Sequence, residues 1–288
     1  NVFSGSVPSA EIARGAILDV KSRDGISVAA LGTLTGAGNI VLHRFAGSDL
    51  PALEVTPFEG QDNRSSTFSG TISGDGGLLK GVDNESSTLT LSGNNTYSGG
   101  TTIMGGSIEF ATGANLGTGA ITLDGGSLRW SAGNTFDISS RLGEIGEFGG
   151  GFDTNGNDVV FTVPLAGVGE MHGTYVFKVG SGKLTLSGTN TYTHPTIVGG
   201  GTLVVSGTLS GTTNVSVDNE GFGPLAILEL SGDNRINDAA NLAIGSGIVR
   251  TFGFSEKFAQ LVNNSFPPTE SFALGGGAAV EQLGRERF

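Results

Sequence analysis

Residues 88–110 read TLTLSGNNTYSGGTTIMGGSIEF, and residues 183–205 read KLTLSGTNTYTHPTIVGGGTLVV. The two stretches align without a gap at an offset of 95. They share Leu89/Leu184, Leu91/Leu186, Gly93/Gly188, Asn95/Asn190, Tyr97/Tyr192 and Gly106/Gly201. Weaker echoes surround them: TLTGAGNIVL at 33–42, TFSGTISGDGGLLKG at 67–81, AITLDGGSLRW at 120–130 and a longer one at 227–250. Self-similarity of this kind marks stacked units, each unable to bury its apolar face alone.

Each echo has the same grammar. A short alternating run such as Leu89-Thr90-Leu91 puts apolar side chains on one face and threonine on the other. A Gly- or Asn-bearing corner follows, then a second run such as Ser107-Ile108-Glu109-Phe110. Strands of three to six residues recur along nearly the whole chain, so the fold class is all-β. Only Glu256–Val262 and Ala278–Arg287 have helix-compatible patterns. A sandwich needs longer strands and no likeness between units, whereas a solenoid needs apolar and corner residues in register. The pattern predicts a parallel β-helix with coils of roughly 22 residues.

Composition narrows the function classes. Lys and Arg number 15 against 27 Asp and Glu, a net charge of −12, which excludes the basic footprint of a nucleic-acid binder. There is no cysteine, hence no disulfide framework or thiolate metal site. No apolar run reaches the ~18 residues of a membrane helix. The 51 glycines keep no three-residue period, so collagen is excluded. An acidic, cysteine-free, Thr- and Asn-rich chain is expected outside the cell or on its surface.

Two corner positions carry mechanical expectations. Asn95 and Asn190 sit where asparagine tolerates left-handed backbone and its amide can bond a neighbouring turn or form a ladder. Tyr97 and Tyr192 are expected to cap those corners, ring against apolar surface and hydroxyl in water, with a ligand-stacking platform as the rival.

The two full copies closely resemble the autotransporter-associated β-strand repeat, which runs roughly Leu-Thr-Leu-(Ser/Thr)-Gly-x-Asn-Thr-Tyr-(Ser/Thr)-Gly-Gly-Thr-x-Ile-x-x-Gly-x-Leu. The first copy matches nearly throughout; the second replaces Gly-Gly by His194-Pro195. FDTNGNDVVFTVPLAGVG (152–169) also resembles the segment that joins such repeats. The resemblance implies a right-handed parallel β-helix from a secreted or surface-displayed bacterial protein, structural or adhesive in use. Autotransporters end in a membrane barrel of alternating strands, and GGGAAVEQLGRERF at the chain's end is not one. The expectation is therefore a passenger fragment or a barrel-free user of the repeat.

The organisation expected is an N-terminal cap, linker or docking segment over 1–30, a β-helix over 31–262, and a C-terminal cap or docking segment over 263–288. Val2, Phe3, Phe266, Phe272 and Phe288 are candidates for self-association. Head-to-tail contacts that do not close would give filaments. The partners expected are thus a second copy of the chain, or a cell-surface or glycan ligand, with no nucleic acid and no membrane embedding of this segment.

Parallel β-helices also host polysaccharide lyases and glycoside hydrolases, and a carbohydrate-active enzyme is the alternative. Such chemistry usually needs two carboxylates at a set separation. Asp124, Asp137, Asp153 and Asp158 are candidates, but they form no compact motif, and Trp130 is the single tryptophan. Asp153, Asn155 and Asn157 repeat the first alternating oxygen ligands of a calcium loop, with Asp158 where its glycine belongs and Pro164 where its glutamate belongs. Ca²⁺ is thus a weak cofactor candidate at Asp153, Asn155, Asn157 and Asp158, with an Asn/Asp turn as the default. His43, His172 and His194 lack metal-ligand spacing. No catalytic or cofactor-binding residue is assigned, and the expectation is a non-enzymatic solenoid.

Overall fold

The computed structural model describes residues 9–21, 29–44, 53–57, 65–82, 87–167, 174–219, 223–263, 274–275 and 280–282. The architecture is an all-β solenoid of parallel strands. Helix among the described residues is confined to two 3-10 turns, Gly113–Leu116 and Ser139–Arg141. The chain divides into two compact units, residues 1–134 with 141–143 and residues 135–140 with 144–288.

The first unit has three walls. One is a ladder of Ala10–Ile12, Leu34–Gly36, Ser66–Phe68, Thr88–Leu91, Ser107–Phe110 and Ser127–Trp130. The second is built from Ala29–Leu31, Leu53–Val55, Leu78–Lys80, Thr101–Ile103 and Ile121–Leu123. Ile17–Val20, Asn39–Leu42 and Thr71–Gly74 make the third. Among the described residues strands thus begin at Ala10, within the stretch expected as a cap.

The second unit has two long walls. Gly149–Asp153, Tyr175–Val179, Thr196–Val198, Asn214–Val217, Asn241–Ile244 and Gln260–Asn263 share one. Val159–Phe161, Lys183–Leu186, Gly201–Val205, Ala226–Leu230, Ile248–Arg250 and Leu274–Gly275 share the other. Glu256–Phe258 and Gln260–Asn263 are strands, which corrects the helix-compatible reading of 256–262. Each of these strands has a parallel partner to complete its hydrogen bonds, Val280–Gln282 and Asn241–Ile244 respectively. Tertiary pairing overrides a weak local pattern here.

The ladders explain the repeat. The first strand of each full copy pairs with its last, Thr88 opposite Ser107 and Lys183 opposite Thr202. One copy is therefore one coil closed onto the start of the next. Coil length is uneven, with steps from 19 residues between Leu89 and Ile108 to 32 between Gly36 and Phe68.

Alternation sorts the faces. Leu89, Leu91, Ile108, Phe110, Leu128 and Trp130 point inward with at most 1% exposure, while Thr90, Glu109 and Arg129 form an outward row. Each such inward aliphatic side chain contributes about 1.5–3 kcal/mol by leaving water. Rings pack from coil to coil in the first unit, Phe110 against Trp130 at 5.0 Å, and across one coil in the second, Phe152 edge-on to Phe161 at 5.1 Å. Two lysines break the apolar rule: Lys80 and Lys178 occupy inward positions of their strands and are buried.

Candidate functional site

The corners of the full copies are built as staples between coils. In the first unit the Asn95 Oδ1 accepts the Ile72 N–H at 2.7 Å from the preceding coil, and its Nδ2 donates to the Asn115 carbonyl of the following one. In the second unit Asn190 Oδ1 accepts the Leu165 N–H at 2.9 Å, and Nδ2 donates to the Thr208 carbonyl at 3.1 Å. Both amides therefore satisfy backbone groups of the coils on either side. They bond backbone above and below rather than another amide.

Tyr97 and Tyr192 lie two residues further on and are buried, which excludes a stacking platform. Their hydroxyls are not in water, contrary to the expectation. Tyr97 Oη shares a hydrogen bond of 2.6 Å with Thr101 Oγ1, and Tyr192 Oη one of 2.9 Å with Thr196 Oγ1. A buried phenol requires such a partner. Burial pushes the Tyr97 phenol up to about 12, against the lowering effect of its Thr101 bond, and raises Tyr192 likewise. The partner threonines escaped the sequence reading, although Thr101 and Thr196 also coincide in the aligned copies.

The corner residues beyond the staple differ. His194 is fully buried, its Nε2 donating to the Gly146 carbonyl at 2.9 Å within the second unit. A carbonyl can only accept, so Nε2 carries the hydrogen. His43 pairs with Asp19 at 2.8 Å, and His172 lies outside the described residues.

The acidic turn is engaged in its own fold. Asp153 Oδ1 accepts the Asn155 N–H, Asn157 Nδ2 donates to the Thr154 carbonyl, and Asp158 Oδ1 accepts the Lys183 N–H. Asn155 and Gly156 take positive φ values of 47° and 87°, the backbone of an Asn/Gly turn. The cation beside this turn is Lys178, whose Nζ donates to the carbonyls of Val179, Gly180 and Gly200 at 2.8, 2.8 and 3.0 Å. Burial lowers that ammonium to about 8, against the pull of Asp153 and Asp158. Among the described residues no three or more His, Asp or Glu side chains form a group that could hold a metal.

Of the remaining candidate acids, Asp137 is engaged within its own unit. Asp137 accepts the Ser139 N–H and both the N–H and hydroxyl of Thr162; these bonds outweigh its burial and hold it below the ordinary carboxylate range. Asp124 belongs to the first unit and Asp137, Asp153 and Asp158 to the second. Val2, Phe3, Phe266, Phe272 and Phe288 lie outside the described residues.

A concavity that the sequence reading did not single out lies in the first unit. It is a half-open groove of about 340 Å³, walled where Gly77, Gly99, Gly100 and Ala120 bring successive corners together. Corner hydrogen bonds hold those coils in place, Leu78 N–H to Gly100 O at 3.0 Å and Thr101 N–H to Ala120 O at 2.9 Å. Ser98, Thr102 and Thr122 bring hydroxyls to it, Thr101 lines it with its own hydroxyl turned to Tyr97 and Leu116, and Arg44 and Asp75 complete the lining. The Arg44 N–H donates to Asp75 Oδ1 at 2.8 Å, which holds that carboxylate below its usual range. The lining offers donors and acceptors and contains no aromatic side chain.

The family described as the passenger-associated-transport-repeat matches residues 84–109 and 176–205. Those stretches are the two stapled coils. Over 134 residues the chain is 37% identical to the adhesin BmaC autotransporter of Brucella suis biovar 1 (strain 1330). That alignment takes in 46% of this chain and 4% of the relative. No solved structure matches the chain. The chain is thus a β-solenoid in which two stretches match the passenger-associated-transport-repeat.

Proposed function

We propose that this chain is a non-enzymatic, adhesive stretch of a surface-displayed or secreted bacterial passenger. Its coils act as a stiff wall that presents outward side chains and corners to a surface ligand. The observation that carries the reading is the coincidence of the matched repeats with the staples. The recurring Asn, Tyr and Thr side chains are consumed in holding coils together, so the repeat builds scaffold, and contact is left to what the scaffold displays. Likeness to part of an adhesin supports the same role.

The test is attachment. Beads coated with the purified chain are expected to bind target cells saturably, and soluble chain is expected to compete. Failure to bind any cell or glycan surface, together with release of reducing ends from a polysaccharide, would instead make the chain a carbohydrate-active enzyme. Head-to-tail assembly is the finer form of the proposal. Negative-stain microscopy over a concentration range is expected to show filaments of uniform width, and isolated particles at every concentration would remove it.

A further inference from the structure

We infer that the groove between Arg44, Asp75 and the corners at Gly77, Gly99-Gly100 and Ala120 binds one neutral sugar residue of a glycan. The inference deepens the adhesive reading and rests on it for its biological use. Its argument starts from space. Three successive corners carry at most a methyl group, so about 340 Å³ is left open, within the ~300–1,000 Å³ of small-molecule sites. A concavity of this size takes a monosaccharide.

The lining then selects the chemistry. Thr102 and Thr122 stand directly opposite each other on adjacent strands, which places their β-carbons on one outward face about 4.8 Å apart. Hydroxyls two carbons apart on a pyranose span that separation. Ser98 adds a third hydroxyl from the exposed corner. Asp75 brings a carboxylate that accepts hydrogen bonds from a vicinal diol, and Arg44 brings donors.

Other ligands fit worse. An anionic sugar or phosphate would meet Asp75, and a cation would meet Arg44. A single carboxylate is too few for a divalent ion, and a nucleobase or apolar peptide side chain would find no ring or aliphatic wall. The site is also preformed. Thr101, on its floor, is 1% exposed and fixed by the Tyr97 hydroxyl and the Leu116 carbonyl, which limits the ordering cost of binding.

Saturation-transfer NMR and calorimetry with methyl glycosides of glucose, galactose and mannose test this, with N-acetylneuraminic acid as the anionic probe. At least one neutral glycoside is expected to bind with a dissociation constant on the order of 1 mM, and the anionic sugar more weakly. Ala120 is exposed, so Ala120→Trp fills the mouth with an unchanged melting curve and is expected to weaken binding at least tenfold. Thr102→Val and Thr122→Val, which remove hydroxyls at nearly constant volume, carry the same test if the tryptophan variant does not fold. No binding of any neutral glycoside, binding indifferent to these substitutions, or preference for the anionic sugar would overturn the inference. Bead attachment separates the two readings. Attachment without groove-dependent sugar binding removes the groove and keeps the adhesin; groove-dependent sugar binding without attachment keeps the groove and removes the adhesin.

Discussion

The two stapled coils use one device and finish it in opposite ways. Asn95 in the first unit and Asn190 in the second bond backbone of the coils on either side, and Tyr97 and Tyr192 bond Thr101 and Thr196 of their own coil. At the next position the first coil has Gly99-Gly100 and the second His194-Pro195. A Cβ on Gly99 would stand 2.4 Å from Gly76 C and 2.5 Å from Gly77 N, so backbone of the neighbouring coil occupies its place. His194 instead buries an imidazole against the Gly146 carbonyl. The bare corner borders the groove and the filled one is part of a core. The staple is the constant of this solenoid, and the corner is where its surface is free to acquire a function.

If the staple is the shared structural element, breaking it should cost most and cost alike in both units. Tyr97→Ala and Tyr192→Ala each remove a buried ring and are expected to destabilise by about 3–5 kcal/mol. Asn95→Ala leaves the Ile72 N–H and the Asn115 carbonyl without that partner, and Asn190→Ala does the same to Leu165 and Thr208. About 2–4 kcal/mol is expected for each, from two buried polar groups apiece. Denaturant unfolding of each variant, with hydrogen exchange resolving the units, checks both pairs. Losses confined to one copy would break the equivalence.

The corner should respond asymmetrically. Gly99→Ala is expected to cost about 1–3 kcal/mol, because the methyl group has only backbone to displace. That the aligned position holds histidine in the other copy makes the outcome sharp. A Gly99→Ala protein as stable as the parent would mean that the coil spacing adjusts and that the groove owes nothing to a bare corner.

How much of this was legible from the chain follows from what is local. Leu89-Thr90-Leu91 and Ser107-Ile108-Glu109-Phe110 show their inward and outward faces by period alone, and the gapless second copy fixes the coil. Asn95 and Asn190 declared themselves as corners that bond a neighbouring turn. The dry hydroxyls of Tyr97 and Tyr192 did not, because dryness depends on a threonine brought round by the corner. The groove was invisible for a related reason. Gly77, Gly99 and Ala120 meet only after three coils are stacked, and steps between 19 and 32 residues hide that register. Lys178 was equally silent, since an inward lysine is acceptable only once the carbonyls of Val179, Gly180 and Gly200 converge on it.

The smallest change separates packing of the ring from the chemistry of its hydroxyl. Tyr97→Phe keeps the ring and deletes the bond to Thr101, whose Oγ1 retains the Leu116 carbonyl at 3.2 Å, so about 1 kcal/mol is lost at pH 7. The parent protein carries an alkaline liability that the variant lacks. Tyr97 ionises near 10 when unfolded, and burial pushes it to about 12 in the fold. Its folded pKa is the higher one, so the stabilisation is whole below pH 10 and disappears as pH rises toward 12. One unit above the unfolded pKa the parent has lost about 1.4 kcal/mol through this residue, whereas Tyr97→Phe loses nothing there. The stability order of parent and variant is therefore expected to reverse near pH 11, read from paired urea unfolding curves at pH 7 and pH 11. Tyr192→Phe should reverse in the same sense, since burial raises that phenol too. A constant gap between parent and variant at both pH values would mean that the hydroxyl reaches water, and that the two copies hold only the rings in common.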